Sequence, residues 1–583
     1  MNAAPQDDER RVTYFAATHT RGKREMFGIR ANDRGKHIYV IGKTGMGKST
    51  MLENMAIQDI QNGEGICFID PHGSTAEKLL DFVPQDRIKD VVYLAPFDTD
   101  YPMGFNVMED VGYDKRHLVV SGLMGAFRRI WVDAWSARME YILQNTLLAL
   151  LEYPDSTLLD VNRMLTNKTF RAAVVEKITD PIVKSFWTEE FASFTDSYTR
   201  EATPAIQNKV GQFTANPLIR NIVGQGKSSF DLRKIMDEKK IFIVNLSKVR
   251  MGETNASLLG SMLVVKIYLA AMSRADEPSA VMARLPRCYF YVDEFQSMMN
   301  EAFADILSES RKYKLALTLA NQYIEQMEEE VRDAVFGNVG TLIVFRVGPF
   351  DAEVLETVFD PTFTPEDLVG LGIGQIYLTL MIDGVGSKPF SAETIPPIEK
   401  PSISYRNDVI QSSRDQYGRD RATVEAGVNR RQFEFAPPPK KEKDNRDRRD
   451  APRSFSSGSA PRRDFQAREE SRAPADVLRE RRPPAPSVQS AVPSTSQGDP
   501  GRGALRAAIA AAKPEPVAPA APVRSPAEIL REKMSRKAPA PQATHMSAPQ
   551  QKVPPAPAYR PEEEKQPSNE VSREELERVL RGD

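Results

Sequence analysis

Eight residues constrain the fold of this chain more than any others. Gly42-Lys-Thr-Gly-Met-Gly-Lys-Ser49 fits the pattern G-x-x-x-x-G-K-[ST] at every fixed position. It follows the apolar run His37-Ile-Tyr-Val-Ile41 and opens a stretch, Lys48–Gln61, that reads as a helix. A glycine-rich loop between a buried strand and a helix lets backbone N–H groups curl around phosphate oxygens, and the helix N-terminus adds a favourable dipole. The candidate nucleotide site is therefore Gly42, Lys43, Thr44, Gly45, Met46, Gly47, Lys48, Ser49 and Thr50. Lys48 is placed to reach the β- and γ-phosphates, Ser49 to ligate Mg²⁺ and Thr50 to meet the α-phosphate. ATP and Mg²⁺ are the expected ligands.

Strand and helix signals alternate around that loop. Gly65–Asp70 and Asp90–Leu94 read as strands separated by a helix over Thr75–Phe82. From about Asp114 to Met236 the strand signal disappears and apolar residues recur at helical spacing, as in Ala137-Arg-Met-Glu-Tyr-Ile-Leu. Alternation resumes with Ile241–Leu246, Cys288–Val292, Ala316–Ala320 and Thr341–Phe345, and a hairpin at Gln375–Ile382 and Lys388–Ser391 closes the pattern. The reading is an α/β fold, a P-loop NTPase of RecA-like type, with a parallel sheet and an inserted all-α domain. The domains expected are an N-terminal segment 1–24, a P-loop ATPase domain in two parts (25–110 and 237–400), the helical insertion 111–236 and a tail 401–583.

The tail is set apart by composition. It holds 25 of the 42 prolines and a net charge of +8 (34 Lys+Arg, 26 Asp+Glu), against −10 for residues 1–400 (44 and 54). Such a stretch buries too little apolar surface to offset the entropy of ordering it, so it is expected to be disordered. The acidic remainder argues against a free-standing DNA-binding domain, yet leaves room for a ring whose few basic residues line a pore. The two cysteines, Cys67 and Cys288, each open an apolar run and are expected to be buried thiols. The longest apolar stretch, Leu258–Met272, is interrupted by Lys266 and is short for a bilayer, so no transmembrane segment is expected.

A second site element follows the strand Cys288-Tyr-Phe-Tyr-Val-Asp293-Glu294. Two acids at the C-terminal edge of a buried strand suit Mg²⁺ binding through water (Asp293) and activation of the attacking water (Glu294), the division of labour that hydrolysis needs. Gln322, after the next strand, is placed to sense the γ-phosphate. Arg311 precedes that strand, and His72, in Asp70-Pro-His-Gly73, ends another on the ligand edge.

Taken in order, Gly42–Ser49, Phe68-Ile-Asp-Pro-His-Gly73, the helical block, Ile243-Val-Asn-Leu-Ser247, Tyr291-Val-Asp-Glu-Phe295 and Arg311 eleven residues before Gln322 resemble the FtsK/HerA superfamily of DNA translocases. Within it the sequence looks most like the coupling ATPases of conjugation and type IV secretion, over about residues 25–395. The resemblance implies a homo-oligomer, a hexamer around a pore, acting on DNA, with Arg311 a finger supplied in trans and Gln322 a sensor. It also implies partners among secretion-channel or relaxase components, met through the helical insertion or the tail. Many members carry N-terminal transmembrane helices, whereas here about 35 polar residues precede the first strand read. The expected location is cytoplasmic, or peripheral at the inner membrane through partners. Three functions compete: a coupling ATPase for conjugative transfer, a soluble translocase of repair or packaging, and a secretion adaptor that recruits protein cargo.

Overall fold

The computed structural model describes residues 9–20, 23–299 and 302–435. Eleven strands of the described residues form one sheet in the order β2-β1-β13-β10-β9-β3-β8-β7-β4-β6-β5. Seven neighbours are parallel: β3 (Ile38–Ile41), β4 (Gly65–Asp70), β5 (Val91–Leu94), β6 (Ile241–Asn245), β7 (Cys288–Val292), β8 (Leu315–Asn321) and β9 (Thr341–Val344). Beyond β9 the sheet continues antiparallel through β10 (Gln375–Thr379), β13 (Phe390–Thr394), β1 (Val12–Thr20) and β2 (Lys23–Arg30). Two short strands, β11 (Met381–Ile382) and β12 (Val385–Gly386), make a separate ribbon in the β10–β13 connection.

The parallel strands are buried throughout because both faces are covered. Tyr39 and Ile41, Cys67 and Ile69, Phe242 and Val244 point into one core, while Ile38 and Val40, Ile66 and Phe68, Ile241 and Ile243 point into the other. Helix α1 (Lys48–Gln61) packs on the second face. The first face carries α2 (Arg116–Ile130) with the rest of the helical block, and α3 (Glu253–Met272). The residues from Tyr113 to Asp237 contain helices and no strand, and their apolar side chains merge with the sheet face into one continuous core. Helix α3 has the length and apolarity of a membrane span, but Leu258, Leu259, Met262, Leu263 and Val264 are all 0% exposed, so it is a core helix here.

Three expectations are corrected. Residues 12–20 of the expected N-terminal segment 1–24 belong to the sheet: β1 begins at Val12 and pairs with β13, and Phe15, Phe27 and Ile29 of the β1–β2 hairpin are buried. Of the two hairpin strands only β2 is an edge strand, and in both polar residues flank a short apolar stretch, which hid them. The first strand is therefore β1 and not β3. The tail does not begin at 401. Residues 406–433 form α5 (Arg406–Tyr417) and α6 (Arg421–Phe433), with α4 (Ala302–Glu309) preceding them in the chain. Val409, Val424 and Val428 are buried, Ser413 Oγ accepts from Tyr93 N at 2.9 Å in the edge strand β5, and Arg414 forms a two-bond pair with Asp98. One valine on α5 and a pair four residues apart on α6, on otherwise polar helices, gave a weak signal. The remainder of the expected disordered tail, 436–583, lies outside the described residues.

The two cysteine thiols are buried, as expected, and face each other at 3.7 Å. Strand register opposes a disulfide. Gly65 is level with Cys288 and Cys67 with Phe290, so the Cα atoms are offset by two residues along neighbouring strands, about 8 Å and beyond bridging range.

Candidate nucleotide site

Sheet register brings the motifs to one edge. Ile41 of β3 is level with Asn321 of β8 and Val344 of β9, and Val292 of β7 is level with Leu319. One residue further, Gly42, Gln322, Phe345 and Asp293 all emerge at the C-terminal ends of their strands. The P-loop is seated on β9: Lys43 N donates to the Arg346 carbonyl at 2.8 Å, and a Cβ at Gly42 would stand 2.5 Å from Phe345 Cβ. Only glycine fits there. On its other side, Gly374 N donates to Met46 O at 3.0 Å, so the antiparallel half of the sheet also supports the loop. Gly47, with φ of 115°, makes the turn into α1.

Lys48 is buried, and its ammonium donates to the carbonyls of Gly42 and Lys43. Burial holds its pKa below the usual lysine range, opposed by Glu294 and Asp293. Ser49 Oγ donates to Asp293 Oδ2 at 2.8 Å. Burial pushes the Asp293 carboxyl above the usual range, the Ser49 hydrogen bond pulls it down, and the Glu294 and Asp70 charges push it up. A cation placed between Ser49 and Asp293 would relieve that desolvation. The described residues hold no cluster of three or more His, Cys, Asp or Glu suited to a metal. Two protein ligands with phosphate oxygens is the Mg²⁺ arrangement, so the donor set fits that ion bound with a nucleotide.

Glu294 adopts the left-handed conformation (φ 49°), with its N–H donating to Asp293 Oδ1 at 3.0 Å. Two amides grip its carboxylate: Gln322 Nε2 donates to Oε1 and Gln296 Nε2 to Oε2. Gln322 Oε1 in turn accepts from Thr44 Oγ1 at 2.8 Å. One side chain thus connects the P-loop to Glu294. Below the site, a buried network ties α1 to β7: Arg34 bonds Asp59 through both oxygens, at 2.7 and 2.9 Å, and Tyr291 donates to Asp59.

Arg311 is not brought to this chain's own P-loop. It lies in the turn before β8, at the opposite edge of the sheet, separated from Gln322 by the seven residues of that strand, about 23 Å. Its side chain is exposed and makes no ion pair among the described residues. His72 is exposed, and Asp70 beside it accepts from His72 N and Ala76 N, holding a turn. Thr50 stands in the first turn of α1, half-buried.

Sequence reading missed Gln296 and Arg129. Arg129, at the end of α2 in the helical block, donates to the Gln296 carbonyl at 2.9 Å and pairs with Glu328 at 2.6 Å. It clamps the two loops that carry Glu294 and Gln322. No local pattern announces a contact between residues 167 positions apart.

A P-loop and a second acidic strand, separated from it by one intervening strand that ends in a polar side chain, define a P-loop NTPase. Residues 27–354 match the type IV secretion-system coupling protein DNA-binding domain, and the chain belongs to that family. Among curated proteins none matches. Among solved structures, the chain is similar to the plasmid coupling protein TrwB in complex with ADP and Mg²⁺ (15% identity, TM-score 0.48, 70% of this chain and 98% of that one). It is similar as well to TrwB with the GTP analogue GDPNP (17%, 0.46, 65% and 88%). A further likeness is to VirB4 of Thermoanaerobacter pseudethanolicus (12%, 0.42, 62% and 89%).

Proposed function

We propose that this chain is an ATP-hydrolysing motor that translocates DNA, working as a coupling ATPase in conjugative or type IV secretion DNA transfer. The observation that carries the reading is the junction of Ser49, Asp293, Glu294 and Gln322 at one sheet edge, in a member of a coupling-protein family. Lys48 and the loop amides bind the phosphates. Ser49 and Asp293 would hold Mg²⁺, which when bound would neutralise charge on the phosphate oxygens. Glu294 takes the proton of the attacking water, and Gln322 reports the occupancy of the site by holding or releasing Thr44 and Glu294. Arg311, remote from its own site and exposed, serves the nucleotide of the neighbouring subunit in a ring, where transition-state charge gains from an arginine.

The test is ATP turnover with and without DNA. Wild-type turnover should rise on adding DNA. Lys48→Ala should lose tight nucleotide binding, and Glu294→Gln should bind ATP yet turn over at least a hundredfold more slowly. Turnover indifferent to DNA would remove the translocase reading and favour the adaptor that recruits protein cargo. Near-normal hydrolysis by Glu294→Gln would remove that residue as water activator.

A further inference from the structure

Away from the nucleotide edge, helix α6 meets the loop 224–227 of the helical block around a cleft of about 270 Å³. Four cations line it: Lys227 from the loop, Arg419 ahead of α6, and Arg430 and Arg431 in its last turn. A single acid, Asp155, lines it with them, and that carboxylate stands 3.7 Å from Arg431. Lys227, Arg419 and Arg430 are exposed and make no ion pair among the described residues.

Like charges gathered in one concavity repel, and an unfilled guanidinium donor removed from water costs free energy. Both features are present. Arg431 Nη1 is buried without a hydrogen-bond partner, and a Cβ at Gly226 would lie 2.5 Å from Arg431 Nη2. The glycine admits the guanidinium flat against the loop backbone, where a larger residue would expel it. Folding has therefore assembled four positive charges against one negative around a hollow large enough for a phosphate group. Asp420, the nearest other acid in sequence, is engaged in capping Thr423.

We propose that this cleft binds the phosphate backbone of a nucleic acid. The assignment rests on the DNA-handling reading above and gives it a contact surface at the seam of the helical block and the C-terminal helices. Guanidinium groups suit phosphate oxygens through paired N–H donors, and such contacts position a strand without reading its sequence. The chain also leaves the described fold here: the Phe435 carbonyl accepts from Asn167 at 2.7 Å, four residues after Arg431. The segment that follows in sequence, 436–560, carries 24 Lys+Arg against 13 Asp+Glu.

The experiment uses the full chain carrying Arg419→Glu and Arg430→Glu, both exposed positions. A control carries Lys23→Glu and Arg24→Glu, an equal change of charge on β2 at the other end of the sheet. Binding of a labelled oligonucleotide is followed by fluorescence anisotropy across a salt series, with melting temperature as the check on folding. The cleft variant should bind at least tenfold more weakly than the control, with a salt slope smaller by about 1.5, the loss of two phosphate contacts. Equal losses in variant and control, or none in either, would overturn the site while leaving DNA binding itself intact. A wild-type protein that binds no oligonucleotide would overturn the site and the DNA-handling reading together. Inorganic pyrophosphate supplies the last arm. If it raises the melting temperature of the wild type but not of the variant, while DNA affinity is unchanged, the cleft serves a free anion and the nucleic-acid assignment falls.

Discussion

Thr44 Oγ1 donates to Gln322 Oε1 at 2.8 Å, a contact across 278 residues that joins the tip of the P-loop to the end of β8. The same Gln322 amide also donates to Glu294, so one side chain couples the loop to the carboxylate. An apolar residue at position 322 would remove both bonds at once.

Gln322→Leu should accordingly keep nucleotide affinity within about threefold of wild type while slowing turnover ten- to a hundredfold. Equilibrium binding of a fluorescent ATP analogue and steady-state hydrolysis separate the two quantities. A large loss of affinity with unchanged turnover would make Gln322 a binding residue and not a sensor.

The remoteness of Arg311 from its own P-loop gives a complementation test. Arg311→Ala and Glu294→Gln should each be nearly inactive alone. Mixed, they should recover part of the activity, peaking near equal proportions, because some interfaces then hold an intact Glu294 and an intact Arg311. Absence of recovery at every ratio, with subunit exchange verified by fluorescence transfer, would exclude Arg311 as a trans finger. Arg346, whose backbone carbonyl anchors Lys43 beside the P-loop, would then be the next candidate.

Truncation separates two parts of the C-terminal region that composition alone merges. Ending the chain after Phe435 should leave the melting temperature within about 2 °C of the full chain. Ending it after Lys400 removes buried Val409, Val424 and Val428, at about 1.5 kcal/mol each, and also the Arg414–Asp98 pair. The melting temperature should fall by roughly 5 °C or more. Indistinguishable truncations would show that α5 and α6 contribute nothing to the core.

His37 sets a pH dependence. Burial is the main cause that lowers its pKa to about 4, and Leu317 N donates to its Nδ1 at 3.1 Å, which requires the neutral ring. The folded value lies below the unfolded one of about 6.5, so the unfolded chain takes up the proton first. The stability this imidazole contributes is complete above pH 6.5 and is lost as pH falls from 6.5 to 4, in total about 3 kcal/mol. Chemical denaturation at pH 7.5 and pH 5 should show the decrease, and His37→Asn should flatten it. An unchanged pH profile in the variant would mean that other groups control acid stability.

The sequence by itself determined the parallel half of the sheet and the chemistry placed on it. A strand covered on both faces is apolar at nearly every position, so β3, β4, β6, β7 and β8 stand out as runs. Each ends where a polar motif begins, which is how Gly42–Ser49, Asp293, Glu294 and Gln322 were legible. Tertiary structure alone decided the rest. The hairpin β1–β2 buries only a short central stretch and helices α5 and α6 one narrow side, so their apolar residues are sparse and blend with a polar surface. Contacts between distant elements, such as Arg129 with Gln296 and Arg431 with the loop at Gly226, have no local periodicity. They exist because folding closes the helical block onto the sheet and α6 onto the helical block, bringing together charges that nothing in their neighbouring residues connects.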